Sequence, residues 1–203
     1  MAGPATPSPQ RFDGTPAAMR RRVRALDAFI DLVLEGHLPP TVDQVAERAG
    51  ISKATFFRYF ENLGAMRYDA GARMLERFPL LHVADAGKGP LPERIERFVA
   101  LRVELWEKVH RLARLQRSVV LQDRDAAGMV DFVRARMLDQ VREHFAAELA
   151  TRSAAQRDDA AALIAMITSV ESWEQFRETC ERSPMQTRRA WAAAIHALLT
   201  APA

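Results

Sequence analysis

From about residue 17 to the C-terminus, apolar residues of this chain return every three or four positions, the repeat of one helix face. No convincing stretch alternates with the period of two that a half-buried strand requires. Val23, Leu26, Phe29, Ile30 and Val33 form the first stripe, which Gly36 closes and Pro39-Pro40 follows. Thr41-x-x-Gln44 then reads as a capping box, two side chains answering two orphan amides, with Val42, Val45, Ala46 and Ala49 as the buried face behind it. A fourth helix is expected from about Asn62 to Phe78, carrying Met66, Ala70 and Met74. The segment HVADAGKGPLP is the clearest break in the chain. After it, Pro92 leads into Ile95, Phe98, Val99, Leu105, Trp106 and Val109. Later stripes run through Val130, Val133, Met137, Val141 and Phe145, and through Leu163, Met166, Ile167, Val170 and Trp173. Ser153-x-x-Gln156 and Ser183-Pro184-x-Gln186 are further cap signals, the second with proline at its favoured first position. The expected fold is all-α, about nine helices and no sheet.

Two of these helices are short and close together. Thr41–Arg48 and Ser52–Tyr59 are joined by Ala49-Gly50-Ile51. Gly50 suits the positive φ of a tight helix-to-helix turn, Ile51 turns back to the core, and Ser52 caps the next helix. Phe56 and Phe60, four apart, are expected to bury against the first helix, leaving Lys53, Ala54, Phe57 and Arg58 on other faces. That is the grammar of a helix-turn-helix, whose second helix lies in the DNA major groove with its N-terminal residues at base edges. An αα-hairpin inside a helical bundle has the same spacing, so spacing alone leaves both open.

The residue identities go further. TVDQVAERAGISKATFFRYFENLGAM resembles the N-terminal DNA-binding signature of the TetR family (TetR/AcrR-like) of bacterial transcriptional regulators. The matching positions are Thr41, Val45, Ala46, Ala49, Gly50, Ile51, Ser52, Thr55, Phe56, Tyr59, Phe60 and Met66. The resemblance implies a cytoplasmic bacterial homodimer in which a three-helix head reads a palindromic double-stranded DNA operator. A linking fourth helix and a larger helical domain follow, the latter binding a small-molecule effector and dimerising through its last two long helices. Most members are repressors released from DNA by that effector. The division implied is a head over residues 17–64 and a ligand-binding and dimerisation domain over 65–203, behind a flexible Pro/Ala/Ser/Thr-rich arm over 1–16. DNA contacts are expected from Arg20, Arg21, Arg22, Thr41, Ser52, Lys53, Ala54, Thr55, Phe57, Arg58 and Tyr59. The chain departs from the pattern at three places. Ala54 stands for a glycine, Phe57 for a tyrosine whose phenol would donate to phosphate, and Leu63 for a lysine that reaches the DNA backbone.

Charge adds to this only locally. The net charge of +3 and pI near 9.5 do not by themselves announce a polyanion partner. Arg11, Arg20, Arg21, Arg22 and Arg24 against Asp13, however, make a basic run immediately before the helix-turn-helix. Hydrophobic residues at 48% and charged residues at 27% are ordinary for a packed protein. The single cysteine, Cys180, excludes an internal disulfide and fits a reducing compartment. MAGPATPSPQ lacks the apolar core of a signal peptide, and no apolar run reaches membrane-spanning length, so no membrane partner is expected.

Nothing in the sequence suggests an enzyme. His37, His82, His110, His144 and His196 have no metal-ligand spacing, and neither a nucleophile elbow nor a P-loop occurs, so no cofactor or metal is expected. Arg102 lies on the buried stripe between Phe98 and Trp106, where an arginine wants an anion. An internal salt bridge, a snorkelling side chain or a ligand carboxylate or phosphate all satisfy that need. With Phe132, Met137 and Trp173, these residues are the candidate ligand pocket, and core packing is the competing role. The candidate dimer interface is Leu163, Met166, Ile167, Trp191, Ile195 and Leu198, on the alanine-rich last two helices. Two other functional classes remain open from sequence. One is a DNA-binding regulator answering to a protein partner or to nothing, and the other a helical binding protein that has lost DNA recognition.

Overall fold

The computed structural model describes residues 14–78, 83, 85–120 and 124–201. The expected N-terminal arm up to residue 13, and His82, lie outside the described residues. The fold is all-α, with ten α-helices, one π-helical turn and no strand among the described residues. The chain divides into two compact units, Met1–Arg77 and Phe78–Ala203. The division therefore falls after α4, where the sequence expectation put it after residue 64.

In the first unit α1 spans Pro16–Glu35, α2 Val42–Ala49, α3 Lys53–Tyr59 and α4 Leu63–Arg77. Thr15 caps α1 by accepting from the Ala18 amide at 3.2 Å, and Gly36, at φ 109°, ends it. Leu26, Phe29, Ile30 and Val33 of α1 close over Val45, Ala46, Phe56, Phe60, Met66 and Ala70, all essentially buried. Three Arg–Asp pairs then fasten α1 to α4. Arg22 pairs with Asp69, Arg73 donates to both oxygens of Asp27 at 2.9 and 3.1 Å, and Arg77 reaches Asp31 at 2.6 Å. Partners advance together along both helices, so α1 and α4 run in the same direction.

In the second unit α5 (Leu91–Val119) is the central element. Around it lie α6 (Arg124–His144), α7 (Ala146–Ala150), α8 (Ala154–Ile167), α9 (Val170–Glu174) and α10 (Pro184–Thr200), with the π-helical turn Gln175–Thr179 continuing α9. Its core is built from Ile95, Phe98, Val99, Trp106 and Val109 of α5 with Val141, Phe145, Leu149, Ile164, Trp173, Trp191 and Ile195. Both C-terminal cap signals are complete capping boxes, Ser153 with Gln156 and Ser183 with Gln186.

The stripe from Leu163 to Trp173 is two helices, which is one reason the count exceeds nine. Thr168 turns its hydroxyl back onto the Ile164 carbonyl at 2.8 Å. Ser169 accepts from the Ser172 amide at 3.1 Å and starts α9. The Thr168 carbonyl is thereby released to accept from Trp106 Nε1 at 2.8 Å.

Candidate nucleic-acid interface

The geometry of the α2–α3 pair follows from its ends. The Thr41 amide donates to Gln44 Oε1 at 2.8 Å while the Gln44 amide donates to Thr41 Oγ1 at 3.2 Å. Gly50 adopts φ 64°, the left-handed conformation that lets the Ile51 amide bond back to the Ala46 carbonyl at 3.0 Å. Ser52 Oγ accepts from the Thr55 amide at 3.1 Å, so α3 starts abruptly. A bidentate contact from Arg48 to Glu35, at 2.8 and 2.7 Å, clamps the C-terminus of α2 to that of α1. The hydrogen bonds from Arg48 hold the Glu35 carboxyl below its ordinary range.

With both ends fixed, α3 presents two different faces. Phe56 and Phe60 are buried, their ring centroids 5.4 Å apart. Ser52, Lys53, Ala54, Phe57 and Arg58 are exposed, and Thr55 and Tyr59 are half-buried. Phe57 is 52% exposed, a large apolar ring on the outside of a short capped helix. A recognition helix needs this arrangement: an anchored inner face and a solvent-facing N-terminal half able to meet base edges.

Residues 36–64 match the family model for bacterial regulatory proteins of the tetR family. Over these residues the chain is similar to the DNA-binding region of that family. No curated protein matches it in sequence. Among solved structures it is similar to a protein of Pseudomonas aeruginosa PAO1 described as a candidate transcriptional regulator. That likeness has a TM-score of 0.67 at 16% identity and covers 94% of this chain and 95% of the other. At that identity it is a likeness of fold.

The N-terminal unit distributes its expected contact residues unevenly. Arg20 and Arg21 are exposed. Arg22 is instead engaged inside the head, paired with Asp69 and lying 5.2 Å above the Phe60 ring. The sequence gives no sign of this, because Asp69 is 47 positions away. Lys53 is exposed but meets Asp43 of α2 at 2.6 Å, and Arg58 stacks over the Tyr59 ring at 5.3 Å. Leu63, where the family pattern has lysine, is the first residue of α4. Asn62 caps that helix by accepting from the Ala65 amide at 2.9 Å. Gly64 makes room for this, since a β-carbon there would lie 2.9 Å from Asn62 Oδ1. Tyr68, 51% exposed on α4, is a phenol that sequence reading passed over.

The residues expected to line a pocket in the larger unit do not form one group. Phe98, Arg102 and Met137 meet where α5 packs on α6, Arg102 lying 4.6 Å above the Phe98 ring and donating to the Met137 carbonyl at 3.2 Å. Trp106 bonds to Thr168 instead, and Trp173 packs edge-on to Trp191 at 6.3 Å. Phe132 is 55% exposed and outside the core, because its position on α6 falls on the solvent face. Arg102 has neither of the internal roles expected of it. It does not snorkel, and among the described residues no acidic side chain pairs with it.

The expected dimer residues separate in the same way. Trp191 and Ile195 are fully buried inside their own unit. They stabilise the subunit core and have no surface to offer a partner. Leu163 and Met166 of α8 are exposed, at 44% and 68%, while Ile167 and Leu198 are half-buried.

Proposed function

We propose that this regulator is a homodimeric repressor of the bacterial cytoplasm that binds a palindromic double-stranded DNA operator and is released by a small-molecule effector. The observation that carries the DNA reading is the face of α3. Lys53, Ala54, Phe57 and Arg58 stand exposed on a helix whose opposite face is locked by Phe56 and Phe60. Lys53 at the helix start suits a guanine edge, and the Ala54 and Phe57 side chains suit thymine methyl groups. Arg20 and Arg21 supply charge that any phosphate backbone accepts, which gives affinity without sequence.

A symmetric dimer would set two α3 helices about 34–36 Å apart, or a multiple of that, so any change in head spacing changes affinity. Exposed Leu163 and Met166 on α8 support an interface there. The buried core of the larger unit supports the effector half of the reading through its polar groups, Arg102, Gln140 and His144.

Selection of duplexes from a random-sequence pool by the full chain tests the proposal. The expected result is enrichment of one inverted repeat with half-sites about a helical turn, or a multiple, apart. Retention of the pool without enrichment would contradict operator recognition.

A further inference from the structure

Among the described residues two guanidinium groups are buried in the larger unit, and their surroundings differ. Arg94 is matched: it pairs with both oxygens of Glu148 and donates to the carbonyls of Gly89 and His144. Arg102, only 2% exposed, meets neutral acceptors alone. Its Nη1 donates to Gln140 Oε1 at 2.6 Å and its Nη2 to the Met137 carbonyl at 3.2 Å. Its Nε is buried without a partner. Burial first, and then the nearby Arg136, pull its pKa down to about 9, so it remains a cation at neutral pH. A buried charge with no counter-charge is costly, and another cation close by raises the cost.

The unmatched edge has a definite shape. Nε and Nη2 together form the side of a guanidinium that grips the two oxygens of a carboxylate in parallel. Gln140 occupies the far end at Nη1 and leaves that side with one long hydrogen bond and one orphan. A second orphan touches the same aromatic ring. His144 stacks on Phe98 at 5.4 Å and donates from Nε2 to the Arg94 carbonyl at 3.0 Å. Burial lowers the pKa of this imidazole and keeps it neutral. Its Nδ1 is therefore a lone-pair acceptor, buried and without a partner.

We propose that Arg102 anchors an organic carboxylate between α5 and α6, gripping both oxygens through Nε and Nη2 in place of the Met137 carbonyl. The carboxylate supplies the missing negative charge. Phe98 is the apolar wall beneath it, and Gln140 fixes the guanidinium plane. This deepens the effector reading and rests on it only for the consequence to DNA binding.

The test uses the full chain without DNA. Its thermal unfolding is followed with straight-chain acids from acetate to decanoate, benzoate and salicylate, each against its uncharged primary amide at matched ionic strength. At least one acid is expected to raise the unfolding midpoint saturably while its amide does not. Arg102→Gln should weaken that acid by about tenfold or more. Arg102→Met, which removes the uncompensated charge, should unfold no earlier than the parent when no acid is present. The proposal is overturned if no acid stabilises the chain, if amides act equally, or if Arg102→Gln retains the affinity. Early unfolding of both ligand-free variants would also overturn it, since that marks a purely structural arginine. The effector reading fails separately. A carboxylate held by Arg102 that leaves operator affinity unchanged removes the switch and keeps the site. Operator release by an uncharged compound alone keeps the switch and removes the carboxylate.

Discussion

Lys53 and Asp43 form an exposed pair that the proposed DNA contact of Lys53 would have to break. The ammonium lies 2.6 Å from the carboxylate with both side chains largely in solvent, so the pair is weak and a guanine or phosphate competes with it readily. Asp43→Asn removes a repelling charge and frees the lysine. Mobility-shift titration should show tighter binding to the selected duplex and to random DNA alike, and weaker binding would refute the competition. Lys53→Ala should weaken binding by about 1–3 kcal/mol at one operator position, because it removes a base-edge partner. Replacing Arg20 and Arg21 by alanine should instead weaken every sequence and lower the salt slope by about 0.9 for each phosphate left without its counter-charge. Equal weakening by both changes on operator and random DNA would remove this division of roles. Arg22 is left out of that test because it is fastened to Asp69.

His144 makes a prediction of a different kind. Burial, the larger cause, lowers its pKa below the ordinary 6.5. Below that ordinary value the unfolded chain takes up a proton that the folded ring resists. Stability is therefore full above about pH 6.5 and falls as the pH drops towards the folded pKa. Thermal unfolding of the parent should show this loss between about pH 7.5 and 5.5, and His144→Gln should flatten it. An unchanged slope in the variant would assign the acid sensitivity to other groups.

Helix ends were the most legible elements, because a cap is a local contract between residues three apart. The Thr41, Ser153 and Ser183 boxes could all be read from letters alone and have the geometry those letters imply. What the letters hid was set by distant partners. The break at Thr168 depends on Trp106, 62 positions earlier, and an unbroken apolar stripe runs across it. Phe132, Trp191 and Ile195 were ambiguous for a related reason, since periodicity names an apolar face without saying what covers it. The Asn62 cap likewise escaped notice, because its signature is the missing β-carbon at Gly64. Gly64→Ala should disturb that cap and cost on the order of 0.5–2 kcal/mol, read from chemical denaturation. Because alanine's helix preference offsets part of that cost, stabilisation of about 1 kcal/mol would show that Asn62 moves aside freely.

For the whole molecule, assembly is the property most exposed to test. Leu163 and Met166 face solvent while Trp191 and Ile195 fill the subunit core, so aspartate should be placed at the first two. If the proposed dimer joins through α8, Leu163→Asp with Met166→Asp should sediment as a folded monomer in ultracentrifugation and bind the operator more weakly, having only one half-site to hold. A folded dimer would move the interface away from α8. If an effector releases the operator, linkage requires that operator DNA weaken the effector by the same factor, typically 5–150-fold. Identical effector affinities with and without DNA would exclude the switch.

The three Arg–Asp pairs between α1 and α4 act as a key as well as a fastening. Down α1 the signs run plus, minus, minus at Arg22, Asp27 and Asp31; down α4 they run minus, plus, plus at Asp69, Arg73 and Arg77. Sliding α4 one turn in one direction would set Arg73 against Arg22, and in the other Asp69 against Asp27. Either slip trades three attractions for one repulsion and one remaining attraction, Arg77 with Asp27 or Arg73 with Asp31. A one-turn ratchet, one of the ways packed helices transmit a signal, is thereby disfavoured in this pair. The pairs therefore favour α1 and α4 moving together.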